Sequence, residues 1–158
     1  MTKRKVMNKK GISAIVATVL IILITVAAVA IVWAAIIPML RNQLESGTQC
    51  FDAVSQILIS DAGYTCYDAS TGNVSVQVER GAKNFNLVGI DVYVSSAGNT
   101  NTYSVTSSLP NVNEGRVYNI DVSSMSGNPD QIQIAPVISV GNSEKTCDVS
   151  STVDLREC

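Results

Sequence analysis

The hydrophobic and polar positions of this chain follow two different patterns, one before and one after residue 45. Residues 12–40 form a run of 29 residues without a charged side chain, in which Ser13, Thr18 and Thr25 are the polar interruptions. A helix of this length would be apolar around its whole circumference and would reach about 43 Å, whereas the hydrocarbon core of a bilayer needs only about 20 residues. The run is about twice as long as the apolar region of a secretory signal peptide. The first pattern therefore predicts a membrane anchor.

The predicted apolar helix covers residues 12–45. Pro38 lacks a backbone donor and crowds the carbonyl group four residues earlier, which predicts a kink near Ala34. The helical pattern continues as far as Glu45, and Ser46 and Gly47 then provide a stop signal. The remaining residues, 46–158, are enough for one domain with its own core.

The second pattern, in residues 46–158, alternates apolar and polar side chains with a period of two, which is typical of half-buried strands. The alternation covers residues 54–59, 74–78, 88–94, 118–122, 132–140 and 149–155, with turn residues between these segments. Short strands with no helix between them predict an antiparallel sandwich. We therefore expect an α+β protein, in which the long apolar helix precedes an immunoglobulin-like or jelly-roll-like β-sandwich of about six to eight strands. Pro136 interrupts the fifth segment and predicts an edge strand or a bulge.

Basic residues precede the apolar run. They are Lys3, Arg4, Lys5, Lys9 and Lys10, with no acidic residue among them, and such flanks stay on the cytoplasmic side of a membrane. The rest of the chain carries six Lys and Arg against thirteen Asp and Glu, a formal charge of −7, and is expected outside the membrane. Nucleic acid is not an expected partner, because the basic cluster lies beside the membrane segment and no second basic stripe exists.

The junction between the basic and apolar segments is the most specific local signal. At Lys9-Lys10-Gly11-Ile12-Ser13, a basic pair and a glycine stand directly before the apolar run. Here the sequence resembles an archaeal type IV prepilin or archaellin. The resemblance implies that a membrane prepilin peptidase removes residues 1–11 by cutting between Gly11 and Ile12. On the alternative interpretation, Gly11 only ends a flexible basic tail.

The resemblance covers residues 1–45 closely and the rest only in architecture. The fifth position after the expected cut is Val16, where bacterial type IV pilins have Glu, and this departure favours an archaeal relative. The resemblance implies a pilus-like surface filament, in which copies of the chain assemble through the apolar helix, with an assembly ATPase and a membrane platform protein as further partners. Adhesion is the expected role. The alternatives are an archaellin of a motility filament and a membrane-anchored binding domain that never polymerises.

Four cysteines, Cys50, Cys66, Cys147 and Cys158, lie in the part expected outside the membrane, where disulfide bonds persist. A Cys147–Cys158 link is excluded if residues 148–155 form one extended strand, because about eleven steps of roughly 3.3 Å far exceed the reach of a disulfide. We expect the nested pairing of Cys50 with Cys158 and of Cys66 with Cys147, which requires the first and last strands to be antiparallel neighbours. A metal site is not expected, since no Cys-x-x-Cys pair and no histidine accompany the cysteines.

Candidate sites for other chemistry are few. Asn73 begins the triplet Asn73-Val74-Ser75, a possible N-glycosylation site at a turn before a strand. The chain has no histidine, which excludes Ser-His-Asp and Cys-His catalysis, and its acidic residues form no paired motif. We therefore expect no catalytic residues, no cofactor and no enzymatic activity.

Overall fold

The computed structural model of the protein describes residues 14–60, 63–141 and 143–158, without the side chain of Asn42. The chain divides into two compact units between Asn42 and Gln43. We call the described residues 14–42 the apolar unit and residues from 43 onward the sandwich unit, and describe each by itself.

The apolar unit is helical throughout. It contains α1 (Ala14–Ile31), a π-helical turn (Val32–Ile36) and the start of α2 (Ile37–Gln56). In the π-helical turn, the N–H of Ile37 donates to the carbonyl oxygen of Val32, five residues earlier. Pro38 has no N–H for the carbonyl of Ala34, and its ring would clash with that group in a regular α-helix. The departure from α-helical geometry therefore lies at the place where the sequence predicts a disturbance.

α2 runs through the stop signal that the sequence predicts, and the predicted helix end at Glu45 is wrong. Ser46 and Gly47 are both helical, and α2 ends at Gln56. Glycine in a helix costs only about 1 kcal/mol relative to alanine. This cost is offset because Cys50, Ala53 and Val54 follow the spacing of one helix face, and α2 packs through that face against Ile138 and Cys147. Val54 is consequently helical, although the sequence pattern assigns it to the first strand.

The sandwich unit contains two antiparallel sheets, which the described residues form from nine strands. The first sheet consists of β1 (Ile57–Ile59), β2 (Cys66–Asp68), β3 (Asn73–Arg80) and β6 (Gly115–Asp121). The second consists of β4 (Leu87–Ser96), β5 (Asn99–Val105), β7 (Gln131–Val140), β8 (Ser143–Thr146) and β9 (Ser151–Asp154). In each sheet, one edge is made of two short strands that pair with different halves of the same neighbour. β1 and β2 share β3 in this way, and β8 and β9 share β7.

The main core lies between the two sheets. Alternate residues of β3 and β4 are buried, and the core cluster combines them with residues of β1, β6 and β7. The two sheets therefore pack face to face, and the α+β class and antiparallel pairing expected from the sequence are confirmed. A second, smaller cluster joins Ala53 of α2 to Ile138 of β7 and to Cys147.

Pro136 does not lie in an edge strand, because β7 has β4 on one side and β8 and β9 on the other. It lies where the neighbour of β7 changes, since β9 pairs up to Ile134 and β8 begins to pair at Val137. The missing N–H therefore faces a gap between two strands, and the carbonyl oxygen of Pro136 accepts from the N–H of Cys147 at 2.9 Å. A break in register lies in the partner strand β4, between Leu87 and Gly89.

Candidate functional site

The candidate functional surface is the outside of the apolar unit. None of the residues of α1 or of the π-helical turn is buried. Soluble proteins rarely leave a contiguous apolar surface of this extent in water. By length and composition, the helical stretch Ala14–Gln56 is apolar enough to cross a membrane.

The two threonine hydroxyls of α1 bond within the helix itself. Thr18 Oγ1 donates to the carbonyl oxygen of Ile15 at 2.9 Å, and Thr25 Oγ1 donates to that of Ile22 at 2.8 Å. A hydroxyl that has a partner inside its own helix avoids most of the free-energy cost of leaving water. The helix can therefore be surrounded by lipid or by other apolar helices without an unpaired hydroxyl donor at Thr18 or Thr25.

An aromatic and a basic residue lie at the C-terminal end of the apolar unit. Trp33 is 65% exposed, and with Ile37, Pro38 and Arg41 it lines a shallow depression of about 340 Å³. Arg41 is the first charged residue after the apolar run. Tryptophan and arginine are both suited to the boundary between hydrocarbon and water. This end of the unit therefore has the composition of a membrane boundary.

The predicted cleavage site lies outside the described residues. Lys9, Lys10, Gly11 and Ile12 all belong to the stretch before Ala14, and cleavage between Gly11 and Ile12 stays a prediction.

The four cysteines form two disulfide bonds, but the nested pairing expected from the sequence is wrong. Cys50 pairs with Cys147, with a Cα–Cα distance of 5.3 Å, and Cys66 pairs with Cys158, with a Cα–Cα distance of 5.1 Å. The two bonds therefore interleave along the chain. The exclusion of a Cys147–Cys158 link is correct, because both cysteines bond elsewhere.

The helix extension and the C-terminal tail explain the different pairing. Cys50 is in α2 and packs beside Cys147, so it is not part of a first strand that pairs with the last one. The C-terminal tail runs parallel to β2: Tyr67 N–H donates to the carbonyl oxygen of Arg156 at 2.8 Å, and Cys158 N–H donates to that of Tyr67 at 3.0 Å. This parallel bridge brings Cys158 to Cys66. The extension of α2 has a sequence signal in the helical spacing of Cys50, Ala53 and Val54, which the prediction of a stop at Gly47 does not take into account.

Asn73 is the first residue of β3 and is half-buried. It pairs with Asp68 of β2 on one side and with Asp121 of β6 on the other. Its neighbour Val74 is fully buried, so Asn73 faces the outside of the first sheet. Ser75, the third residue of the triplet, donates to Asn119 Oδ1 at 2.7 Å. Glycosylation of Asn73 stays a prediction.

Three acidic side chains with a lowered pKa lie at strand ends or in a loop: Asp68 ends β2, Asp121 ends β6, and Glu114 directly precedes β6. Hydrogen bonds from the hydroxyl and N–H of Ser70 lower the pKa of Asp68, and those of Ser123 lower the pKa of Asp121. The pKa of Glu114 is lowered chiefly by the backbone N–H of Asn111 and also by Arg116. Each carboxylate thus stabilises a local bend. Among the described residues, no group of three or more His, Cys, Asp or Glu is placed to hold a metal ion.

The chain matches no protein-family model, no curated protein and no solved structure. The fold and the exposed apolar surface define an α+β protein in which a long N-terminal apolar helix precedes a disulfide-bonded unit of two antiparallel sheets.

Proposed function

We propose that this chain is the structural subunit of an archaeal type IV pilus-like surface filament that serves in adhesion. A prepilin peptidase removes residues 1–11, and an assembly ATPase with a membrane platform protein moves the remaining chain from the membrane into the filament. The apolar unit spans the membrane before assembly and forms part of the filament core afterwards. The proposal joins the cleavage motif in the sequence to the properties of the apolar unit.

The observation that carries the proposal is the uniform apolar surface of α1, with no buried residue and with both threonine hydroxyls bonded internally. Such a helix is equally satisfied by lipid and by identical helices that repeat by a screw operation. Alanines at positions 27, 28, 30, 34 and 35 give the C-terminal half of the apolar unit a small diameter. Small residues allow helix backbones to approach closely where apolar attraction alone does not distinguish a neighbour from lipid.

The sandwich unit supports a position outside the cell. The unit contains two disulfide bonds, and disulfide bonds persist in oxidising surroundings such as the cell exterior. The basic residues before the apolar run keep the other end of the chain in the cytoplasm. The membrane topology and the filament location are part of the proposal. The immunoglobulin-like or jelly-roll-like type of the sandwich stays a prediction.

N-terminal sequencing of the chain in sheared surface filaments tests the proposal. We expect filaments composed of a chain that starts at Ile12. The fluorescence of Trp33, the single tryptophan, is expected to differ between the membrane-resident chain and the filament, because its surroundings change from the lipid boundary to protein. An intact leader on a chain that stays monomeric in the membrane would overturn the proposal and favour the membrane-anchored binding domain.

A further inference from the structure

Two large apolar side chains of the sandwich unit are exposed on α2. Leu44 is 69% exposed and Phe51 is 76% exposed. They are seven residues apart, two turns of helix, and so lie on the same face of α2. By contrast, Ala53 on the packed face is fully buried. Core packing therefore explains Ala53 and leaves Leu44 and Phe51 without a role in the folded chain.

Phe51 lines a groove whose two sides are joined by a disulfide bond. On one side the groove is lined by Gly47, Cys50, Phe51 and Val54 of α2, and on the other by Lys145, Thr146, Cys147 and Asp148. The Cys50–Cys147 bond joins the two sides, and the groove has a volume of about 320 Å³. Gly47 has no side chain to project into the groove, and an added Cβ at this position would meet no heavy atom within 4 Å, so the space beside it is open.

The polar groups of this groove do not require a polar occupant. Thr146 Oγ1 already donates to Asp91 Oδ2 at 3.2 Å. Lys145 and Asp148 are exposed, and their charged groups can remain in water while an apolar group enters. The groove therefore fits an apolar, uncharged segment.

We propose that this groove, with Phe51 at its border, receives α1, the uncharged helix of the apolar unit, from a second copy of this chain. The inference rests on the proposed function and names a contact by which copies recognise one another. The same molecule carries an uncharged apolar helix with no buried residue and an apolar groove elsewhere on its surface. A patch on one copy that fits a different patch on the next makes a heterologous contact. Contacts of this kind generate an open helical filament when the rotation between copies does not close.

Two substitutions change the groove without weakening α2. Phe51→Gln removes the apolar border and introduces a stronger helix former. Gly47→Leu adds a side chain that occupies the open space beside position 47, and replacing glycine inside an exposed helix increases helix stability. A failure to assemble is therefore separable from a failure to fold. Val117→Thr on β6 is the matched control, because Val117 is exposed in the same unit but lies away from the groove.

The experiment uses the full chain, co-expressed with a prepilin peptidase, purified in detergent and assembled by dilution of the detergent. Sedimentation measures the critical concentration, and electron microscopy identifies filaments. We expect Phe51→Gln and Gly47→Leu each to raise the critical concentration roughly tenfold or more, because burying a phenylalanine is worth about one to two factors of ten in an equilibrium constant. Val117→Thr is expected to assemble like the unsubstituted chain.

The outcomes separate this inference from the proposed function. If both groove variants assemble at the same critical concentration as Val117→Thr, the groove contact is refuted and the filament function stands. If the variants instead lose affinity for lipid vesicles and assemble normally, the occupant is lipid and the inference is also refuted. If the unsubstituted chain forms no filaments, the proposed function and the groove contact fail together.

Discussion

The guanidinium group of Arg80 lies over the ring of Phe85, 4.5 Å from the ring centroid. Arg80 Nη2 also donates to the carbonyl oxygen of Phe85 at 2.7 Å, and Nη1 donates to that of Pro110 at 3.2 Å. Burial lowers the pKa of Arg80, but a guanidinium stays charged at neutral pH. Arg80, the last residue of β3, thus bonds to the loop that contains Phe85 and to the loop that contains Pro110. Phe85 also packs against both core clusters.

Replacing Arg80 with lysine is expected to destabilise the protein by about 1–3 kcal/mol, because an ammonium group cannot stack flat on Phe85 and serve both carbonyls at once. Urea unfolding of the full chain in detergent measures the change. Arg116→Lys is the control, since Arg116 pairs with Glu114 at the surface and is expected to contribute less than about 1 kcal/mol. Equal losses in the two variants would contradict the role assigned to Arg80.

We predict the connectivity of the two disulfide bonds and their contribution to the free energy of unfolding. Peptide mapping under non-reducing conditions is expected to recover the links Cys50–Cys147 and Cys66–Cys158. In the chain-entropy model, a bond that closes a loop of nearly 100 residues contributes roughly 4–5 kcal/mol. The double variants Cys50→Ser/Cys147→Ser and Cys66→Ser/Cys158→Ser are each expected to lose about that free energy of unfolding.

The position of the loosened segment distinguishes the two disulfide variants. Loss of the Cys66–Cys158 bond is expected to speed amide exchange at Tyr67 and at position 158, whose N–H groups bond across the parallel bridge. Loss of Cys50–Cys147 is expected to speed exchange in the last turns of α2 instead. Recovery of a Cys66–Cys147 peptide from the native protein would show that the interleaved arrangement is wrong.

The sequence predicts the strands whose side chains alternate between a more buried and a more exposed face, and it misses three strands that largely lack this alternation. The alternation in β3, β4 and β7 follows from burial of every second residue, and each of these strands was expected. β2, β5 and β8 were missed. β8 is exposed along its whole length, and the first four residues of β5 are exposed. Backbone hydrogen bonds define such edge strands, and hydropathy does not report them.

The disulfide pairing could not be predicted for a related reason. It depends on whether Gly47 ends the helix, and packing of Ala53 against Ile138 and Cys147 decides that question. A local stop signal worth about 1 kcal/mol is weaker than burial of a helix face. The exposed apolar surface of α1 is easier to predict, because a run of residues without charge requires no knowledge of tertiary contacts. The groove beside Phe51 was missed, since it needs the extended helix and β8 together.

Acid is expected to destabilise the loop that Glu114 organises. The Glu114 carboxylate accepts from the Asn111 N–H at 2.8 Å and from Arg116 Nε at 2.7 Å, and these contacts lower its pKa in the folded state. A carboxyl group whose pKa is lowered by folding stabilises the folded state. This stabilisation is complete above the pKa of the group in the unfolded chain, about 4.3, and it is lost as the pH falls through the pKa of the group in the folded chain. Glu114→Gln should therefore reduce the loss of melting temperature between about pH 5 and pH 3.

The control for the acid experiment is Glu144→Gln, which changes an exposed glutamate on β8. This variant measures how far the loss of an exposed carboxyl group outside the Glu114 loop changes the acid transition over the same interval. An acid transition in Glu114→Gln with the same size and position as in the unsubstituted chain would show that Glu114 contributes no linked stability.

Replacing Pro38 with alanine tests the origin of the π-helical turn. The new N–H at position 38 can donate to the carbonyl oxygen of Ala34, and the clash with the proline ring is removed. We expect Val32–Ile36 to become α-helical, with slower amide exchange at positions 36 and 37 and a helix stabilised by up to about 3 kcal/mol. Carbon chemical shifts and hydrogen exchange of the full chain in detergent micelles measure both effects. Met39→Ala, the neighbouring exposed position, is expected to keep the π-helical turn, because it adds no backbone donor. If the turn persists in Pro38→Ala, packing or sequence within Val32–Ile36 causes it, and the missing N–H does not.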